Sequence, residues 1–382
     1  MKYNRKIIYL AGFLFSLPVA LTSYVNSSFL ENYISGNFVG IIYILASVLT
    51  ILGMFKMPRM LSRLGNRSAT LLFSFLFFLS LLVLAFGDRN FIILPAFILY
   101  FISSNFIIAT LDIFIEDFSK NSKIGGIRGI YLSITSLAWV IAQIISGSII
   151  TRSSFRGIYF LSALFMLLVY ALFILFLRDF KDPTYKEISV WKTIKLFMRN
   201  KHISKIYLIN LILKFFYAWM IIYTPLYLHE YLGFAWNEIG IIFSIMLIPF
   251  VILDFPLGKL SDKIGEKKML LIGFCIISIA TLVIPFIETK TLWLWALVLL
   301  LTRIGAATIE TMSESYFFKS VRKEDVGVLS FFRNTTPLSY IIGPALAIPV
   351  LLLVPSFEYI FFVLGVILLV GLSISLRLRD VK

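Results

Sequence analysis

Runs of about 18 or more mostly apolar residues recur along the whole chain, and each is long enough to cross a bilayer as a helix. No other feature limits the fold as strongly. Of 382 residues, 60% are hydrophobic and 14% charged, against roughly 25% charged in a typical soluble domain. The mean hydropathy of +0.95 agrees. No segment is long and polar enough to form a soluble domain, so the expected fold is an all-α polytopic membrane protein.

Twelve spans are expected, at 6–30, 37–57, 69–87, 91–115, 127–151, 155–177, 204–231, 237–257, 268–287, 291–316, 326–353 and 356–376. The start, MKYNRKIIYLAGFLFSLPVA, has the charge pattern of a signal peptide. However, the helix-compatible LTSYVNSSFLENY continues it without a break, and a second span follows at once, which favours a first membrane helix. Sorting Lys and Arg onto this layout gives an orientation. Of 35, 29 fall at the N-terminus, the even-numbered hairpin loops, the central loop and the C-terminus. Four fall on the other side (Arg89, Arg152, Arg156 and Lys290), and Lys214 and Arg303 lie inside spans. The positive-inside rule then places both termini in the cytoplasm of a cell whose inner (plasma) membrane holds the chain. It also accounts for the net charge of +15 without a nucleic-acid partner.

One long polar connection, RDFKDPTYKEISVWKTIKLFMRNKHISK at 178–205, splits the spans six and six. The expected organisation is a six-helix bundle at 1–178, a cytoplasmic central loop at 179–203 and a second bundle at 204–382. Within the loop, ISVWKTIKLFM has the composition of an amphipathic helix on the inner leaflet; a plain basic linker is the alternative. The halves repeat. NFVGIIYI at 37–44 aligns with NEIGIIFS at 237–244, and PRMLSRLGNRSATLL at 58–72 with GKLSDKIGEKKMLLI at 258–272. LDIFIEDF at 111–118 aligns with IETMSESY at 309–316, and RGIYLS at 128–133 with VGVLSF at 326–331. The offsets are 200, 200, 198 and 198, which pairs Asp112 with Glu310 and Glu116 with Glu314. Two pseudo-symmetric bundles in parallel topology belong to alternating-access transporters, with binding near mid-membrane.

On these features the chain resembles the major facilitator superfamily along its whole length. The most specific match is a loop signature, carried here by Gly258, Leu260, Asp262, Lys263, Gly265, Lys267 and Lys268. Its first-half copy is eroded, with Pro58 and Ser62 at the Gly and Asp positions, while Arg63, Gly65 and Arg67 remain. RIGAA at 303–307 is similar to the Arg-Gly signature of the family's fourth helix, moved to the tenth. IIGPALA at 341–347 is similar to the antiporter Gly-Pro signature, moved from the fifth helix to the eleventh. The resemblance implies a secondary active transporter of a small organic solute, coupled to protons, engaged in drug or metabolite efflux or in nutrient uptake, and working as a monomer.

The residues carry their own chemistry. Gly258 and Gly265 allow a tight reversal between two helices, and Lys263, Lys267 and Lys268 suit the anionic inner leaflet. Asp262 opposes that charge bias and gains stability only at a helix N-terminus; the resemblance implies the start of the fifth helix, near Gly126 to Gly129. Ionisable groups inside spans are costly and are functional candidates. Glu310 and Asp112 are proton-coupling candidates. Arg303, Lys214, Asn26, Asn105, Gln143, Tyr217 and Tyr223 are candidates for the substrate cavity, with Lys214 and Arg303 favouring an anionic group. Arg303 and Glu310 are two turns apart, about 10 Å, so neither can pair directly with the other. The alternative role is a structural ion-pair network of Arg333, Asp254, Glu310 and Glu314.

With one Cys (Cys275) and two His (His202 and His229), no disulfide framework, metal site or catalytic cluster is expected. No nucleotide-binding Gly-rich loop is present. The expected protein is not an enzyme and needs no cofactor; its partners are a small solute, the bilayer and protons. A channel or a transport-inactive sensor of the same fold is the alternative. Because the acid of the loop signature survives only in the second half, Asp262→Asn is expected to slow transport more than Ser62→Ala; an unchanged rate in the first with abolition in the second would contradict this.

Overall fold

The structure is a computed structural model. It describes the backbone of residues 5–119, 124–178, 180, 195, 200–320 and 331–378. Within these it describes all side chains but those of residues 37, 116–119, 124–129, 255, 258, 259, 261–263, 318 and 319. Among the described residues the chain is helical, with no strand. Among the described residues, twelve helices are long and apolar enough to span a bilayer. In order they are Arg5–Ser23, Phe38–Leu64, Asn66–Phe86, Asn90–Ile115, Ile130–Arg152, Phe155–Phe176, Lys201–Tyr231, Trp236–Asp254, Glu266–Phe286, Leu292–Phe317, Phe331–Leu353 and Tyr359–Leu376, called here the first to twelfth spans.

Two expectations need correction. The first span does not run unbroken to residue 30: a helix at Arg5–Ser23 is followed by a separate short one at Asn26–Glu31. Pro18 has no backbone N–H to give. The Thr22 hydroxyl donates to the Pro18 carbonyl (2.9 Å) and the Ser23 hydroxyl to that of Val19 (2.6 Å). Side chains that occupy helix carbonyls in this way favour a bend or an end. The reversal near 258–268 is also tighter than a loop. One helix runs Trp236–Ile264, through Gly258, Asp262 and Lys263, and the next starts at Glu266. Gly265 alone makes the turn, at φ 90 and ψ 146. A residue with a Cβ is strained there, whereas Gly258 sits in ordinary helix. Lys267 and Lys268 fall in the first turn of the ninth span. Gly65 makes the same turn in the first half, at φ 77 and ψ 157.

Several expectations lie outside the described residues. They are the side chains of Asp262, Lys263 and Glu116, those of residues 126–129, the segment 188–198 apart from Lys195, and the stretch 326–330.

The chain divides into two compact units, Met1–Glu187 with Ala235–Gly240, and Ile188–Phe234 with Ile241–Lys382. The first holds a buried network of neutral polar groups. The hydroxyls of Thr22 and Tyr100 meet at 2.5 Å, and the Tyr159 hydroxyl donates to the Asn26 side-chain Oδ1 at 2.7 Å. In the second unit the ninth and tenth spans touch backbone to backbone. A Cβ on Gly305 would lie 2.7 Å from both the Gly273 carbonyl oxygen and the Ile277 nitrogen. This contact fixes the tenth span two residues beyond Arg303. Gly343 in the eleventh span is different, since the nearest atom to a Cβ there is Ala218 Cβ at 3.7 Å. Gly305→Ala is therefore expected to lower the melting temperature in detergent, overpacking costing about 1–3 kcal/mol. Gly343→Ala should be neutral or stabilising by up to about 1 kcal/mol through helix propensity.

Candidate functional site

Lys214 and Tyr217 are three residues apart near the middle of the seventh span, and so share a helix face. Arg303 and Glu310 are seven apart on the tenth, again on one face. Helix packing brings the two faces together within the second unit. The Lys214 Nζ lies 2.5 Å from Glu310 Oε1, and the Tyr217 hydroxyl donates to Glu310 Oε2 at 3.0 Å. Both carboxylate oxygens are thus engaged. The Arg303 guanidinium lies over the Phe216 ring at 5.0 Å and over the Tyr217 ring at 5.8 Å. Lys214 Nζ lies 5.1 Å from the same Tyr217 ring. Two cations on the faces of these rings gain from the ring quadrupole, more so where water is scarce.

The seven-residue gap between Arg303 and Glu310 is spanned by Tyr217, whose ring lies beneath the guanidinium and whose hydroxyl reaches the carboxylate. Exposure separates the members. Arg303 is 1% exposed and Phe216 0%, while the Lys214 and Glu310 side chains are 15% and 27% exposed. Tyr217 and Phe250, whose rings are 6.1 Å apart, are also partly accessible. Lys214, Tyr217, Phe250 and Glu310 therefore form an accessible wall, with Arg303 and Phe216 behind it.

The described bonds of Arg333, Asp254, Glu310 and Glu314 run to different partners. Glu310 turns to Lys214. Arg333 grips Glu314 with two bonds, of 2.6 and 3.4 Å, and Asp254 accepts from the Thr311 hydroxyl at 3.2 Å. Helix geometry is the reason: residue 311 points about 100° away from 310, while 310 and 314 share a face one turn apart and so reach different neighbours. They meet the seventh, eighth and eleventh spans in turn.

The remaining candidates are dispersed. In the first unit the Gln143 amide donates to the Ala20 carbonyl at 2.9 Å, tying the fifth span to the first. Asn105 donates to the Phe101 carbonyl one turn back, at 2.8 Å. Asn26 is buried between Tyr159 and Tyr100. Asp112 is partly exposed on the fourth span. Tyr223 belongs to an aromatic group with Trp219 and Phe357. Sequence reasoning missed Phe216, Phe250 and Thr311; the Lys-x-x-Tyr spacing was the available signal for the bridging role of Tyr217.

Removing one partner of a buried ion pair costs about 3–5 kcal/mol, and the partial exposure of Lys214 and Glu310 puts this pair at the low end. Lys214→Met and Glu310→Gln are each expected to lower the melting temperature, and the double variant to recover most of the loss. A double variant as unstable as the sum of the two single ones would show that the groups are not coupled.

The sequence profile described as "Major Facilitator Superfamily" matches residues 8–241 and 224–382. No curated protein matches the chain. Among solved structures, the chain is similar to a POT family transporter in complex with 5-aminolevulinic acid, at 13% identity and a TM-score of 0.79. It is also similar to a POT family transporter in complex with a thioalcohol-conjugated peptide, at 15% identity and a TM-score of 0.77. Each likeness covers 97% of this chain and 94% of the other, and at such identities it is a likeness of fold. With the profile matched from end to end and the twelve-helix fold in place, this multi-pass membrane protein belongs to the major facilitator superfamily of transporters.

Proposed function

We propose that the chain moves a small organic solute by alternating access, driven by a proton gradient, with Glu310 as the group that loads and releases the proton. One observation carries this reading. A carboxylate well inside a membrane span is held by an ammonium at 2.5 Å and a phenol at 3.0 Å, yet keeps 27% of its side chain exposed. A charged group turned toward hydrocarbon is too costly to persist, so the exposed part faces water. A proton can reach it, and protonation removes the charge that ties the seventh span to the tenth at this point. Asp112, its counterpart in the repeat, is the second proton candidate.

In this reading both termini and the motif residues Gly258, Asp262, Lys263, Gly265, Lys267 and Lys268 lie on the cytoplasmic side of the plasma membrane. The motif serves as an inner gate, and the bundles at 1–178 and 204–382 are the moving parts. The fold-level neighbours support a solute of modest size, since one is in complex with 5-aminolevulinic acid and the other with a thioalcohol-conjugated peptide.

The test begins with a thermal-shift screen of metabolites and drugs, followed by proteoliposome transport of the strongest hit with an imposed pH gradient. Glu310→Gln is expected to reduce gradient-driven accumulation about tenfold or more, a barrier change of about 1.4 kcal/mol, while leaving exchange of labelled for unlabelled solute in place. Transport that ignores the gradient, with Glu310→Gln behaving as wild type, would overturn the proposal.

A further inference from the structure

Arg303 is a candidate for the solute cavity by its depth in the tenth span, yet its surroundings suit another task. It is almost fully buried, and so is Phe216. Its guanidinium lies 5.0 Å from the centre of the Phe216 ring and 5.8 Å from that of Tyr217. The accessible wall of Lys214, Tyr217, Phe250 and Glu310 stands in front of it. A charge at this depth is costly and calls for a use. The ring that it lies against belongs to the residue whose hydroxyl donates to Glu310 Oε2 at 3.0 Å.

The two donors on Glu310 differ in kind. The bond from Lys214 to Oε1 is an ion pair and depends on the carboxylate charge. The bond from Tyr217 to Oε2 comes from a neutral hydroxyl. A carboxyl that has gained a proton on one oxygen still accepts at the other. Proton loading on Oε1 therefore frees Lys214 and leaves Tyr217 in place. From then on the acid is held only as firmly as the tyrosine ring is.

That ring is held from several sides. Phe216 and Phe250 lie 5.8 and 6.1 Å from it, centre to centre. The Lys214 ammonium lies 5.1 Å from its centre, but this cation is the one that proton loading sets free. Asp254 on the eighth span accepts from Thr311, and Arg333 on the eleventh donates to Glu314. Arg303 is the cation that stays on the ring through both states. Its attraction to the ring face strengthens where water is scarce. A cation there also polarises the phenol and makes its hydroxyl a stronger donor.

We propose that Arg303 is a positioning residue. It contacts neither solute nor proton, and it holds the Tyr217 ring so that the hydroxyl stays on Glu310 whether or not the carboxyl carries a proton. The acid is thus kept in register for the return of Lys214. The place of this contact in a cycle rests on the reading of Glu310 as the proton site; the contact itself does not.

The test uses infrared difference spectra of the purified full-length protein in detergent. Spectra taken as acid minus neutral read the C=O band of the protonated carboxyl. Spectra taken as wild type minus Glu310→Gln at neutral pH read the carboxylate bands of Glu310. Tyr217→Phe keeps the ring and removes the hydroxyl, and is expected to move both sets of bands, the C=O band to higher wavenumber. Arg303→Met is expected to move them in the same direction by most of that shift. Arg303→Lys, which keeps a cation, is expected to restore most of the wild-type position. In the double variant of Arg303→Met and Tyr217→Phe the shift should not exceed that of Tyr217→Phe alone. An Arg303 that serves the fold alone would lower the melting temperature and leave these bands where they are.

Bands unmoved in Arg303→Met would overturn the proposal. So would shifts that add in the double variant, because Arg303 would then act on Glu310 by its field and not through Tyr217. If Arg303→Met does not fold, Arg303→Gln takes its place with the same expected shift. If neither folds, unmoved bands in Tyr217→Phe would still overturn the proposal. The two readings fail separately. An acid band that survives in Glu310→Gln, with carboxylate bands that move as expected, refutes the proton site and leaves the hold on the carboxylate. An acid band that is lost in Glu310→Gln but stays unmoved in Arg303→Met refutes the positioning role alone.

Discussion

A carboxylate inside a hydrophobic helix cannot stand without a donor, and in this protein Glu310 has two, the Lys214 ammonium at 2.5 Å and the Tyr217 hydroxyl at 3.0 Å. Much of the second unit follows from meeting that need. The seventh and tenth spans must lie face to face at this depth. The close approach at Gly305 and Gly273 holds the tenth span from its other side. Arg303 is 1% exposed and lies against the Phe216 and Tyr217 rings. Tyr217 thereby serves both charges, with its ring under a cation and its hydroxyl on an anion.

The two halves share a backbone plan more closely than a chemistry. Gly65 and Gly265 turn the chain with nearly the same angles at an offset of 200. The cations of the cluster are not shared. At the repeat offsets Leu14 stands where Lys214 does, Leu17 where Tyr217 does, and Asn105 where Arg303 does. Asp112 keeps the acid of Glu310 without the lysine beside it. The first unit instead buries neutral pairs such as Thr22–Tyr100 and Tyr159–Asn26. Such groups cost far less to bury than charges and can hold helices together without titrating.

The spans were legible because hydrocarbon demands apolar length, and that demand is written residue by residue. The members of the cluster were legible for the same reason: Lys214, Arg303 and Glu310 stand out against apolar neighbours. Their pairing was not legible. Spacing along one helix shows that Arg303 and Glu310 are two turns apart, but it does not show that a tyrosine on another helix spans the gap. Nor does it show that residues 310, 311 and 314 reach three different spans. The turn at 265 was half legible, because Gly258 and Gly265 look alike in sequence and only the backbone angle separates them. The break after Ser23 depends on hydroxyls bonding back to Pro18 and Val19, a choice that LTSYVNSS leaves open. The profile match and the fold-level neighbours reach the family and no further into the site.

The central claim is that Glu310 changes its protonation and thereby releases its hold on Lys214. Infrared difference spectroscopy of the purified protein, recorded between acid and neutral pH, reads the carboxyl group directly. The account predicts a protonated-carboxyl band on acidification that is lost in Glu310→Gln and shifted in Tyr217→Phe, where one of its two donors is gone. A band that survives unchanged in Glu310→Gln would contradict the account, because the proton would then reside on another carboxylate.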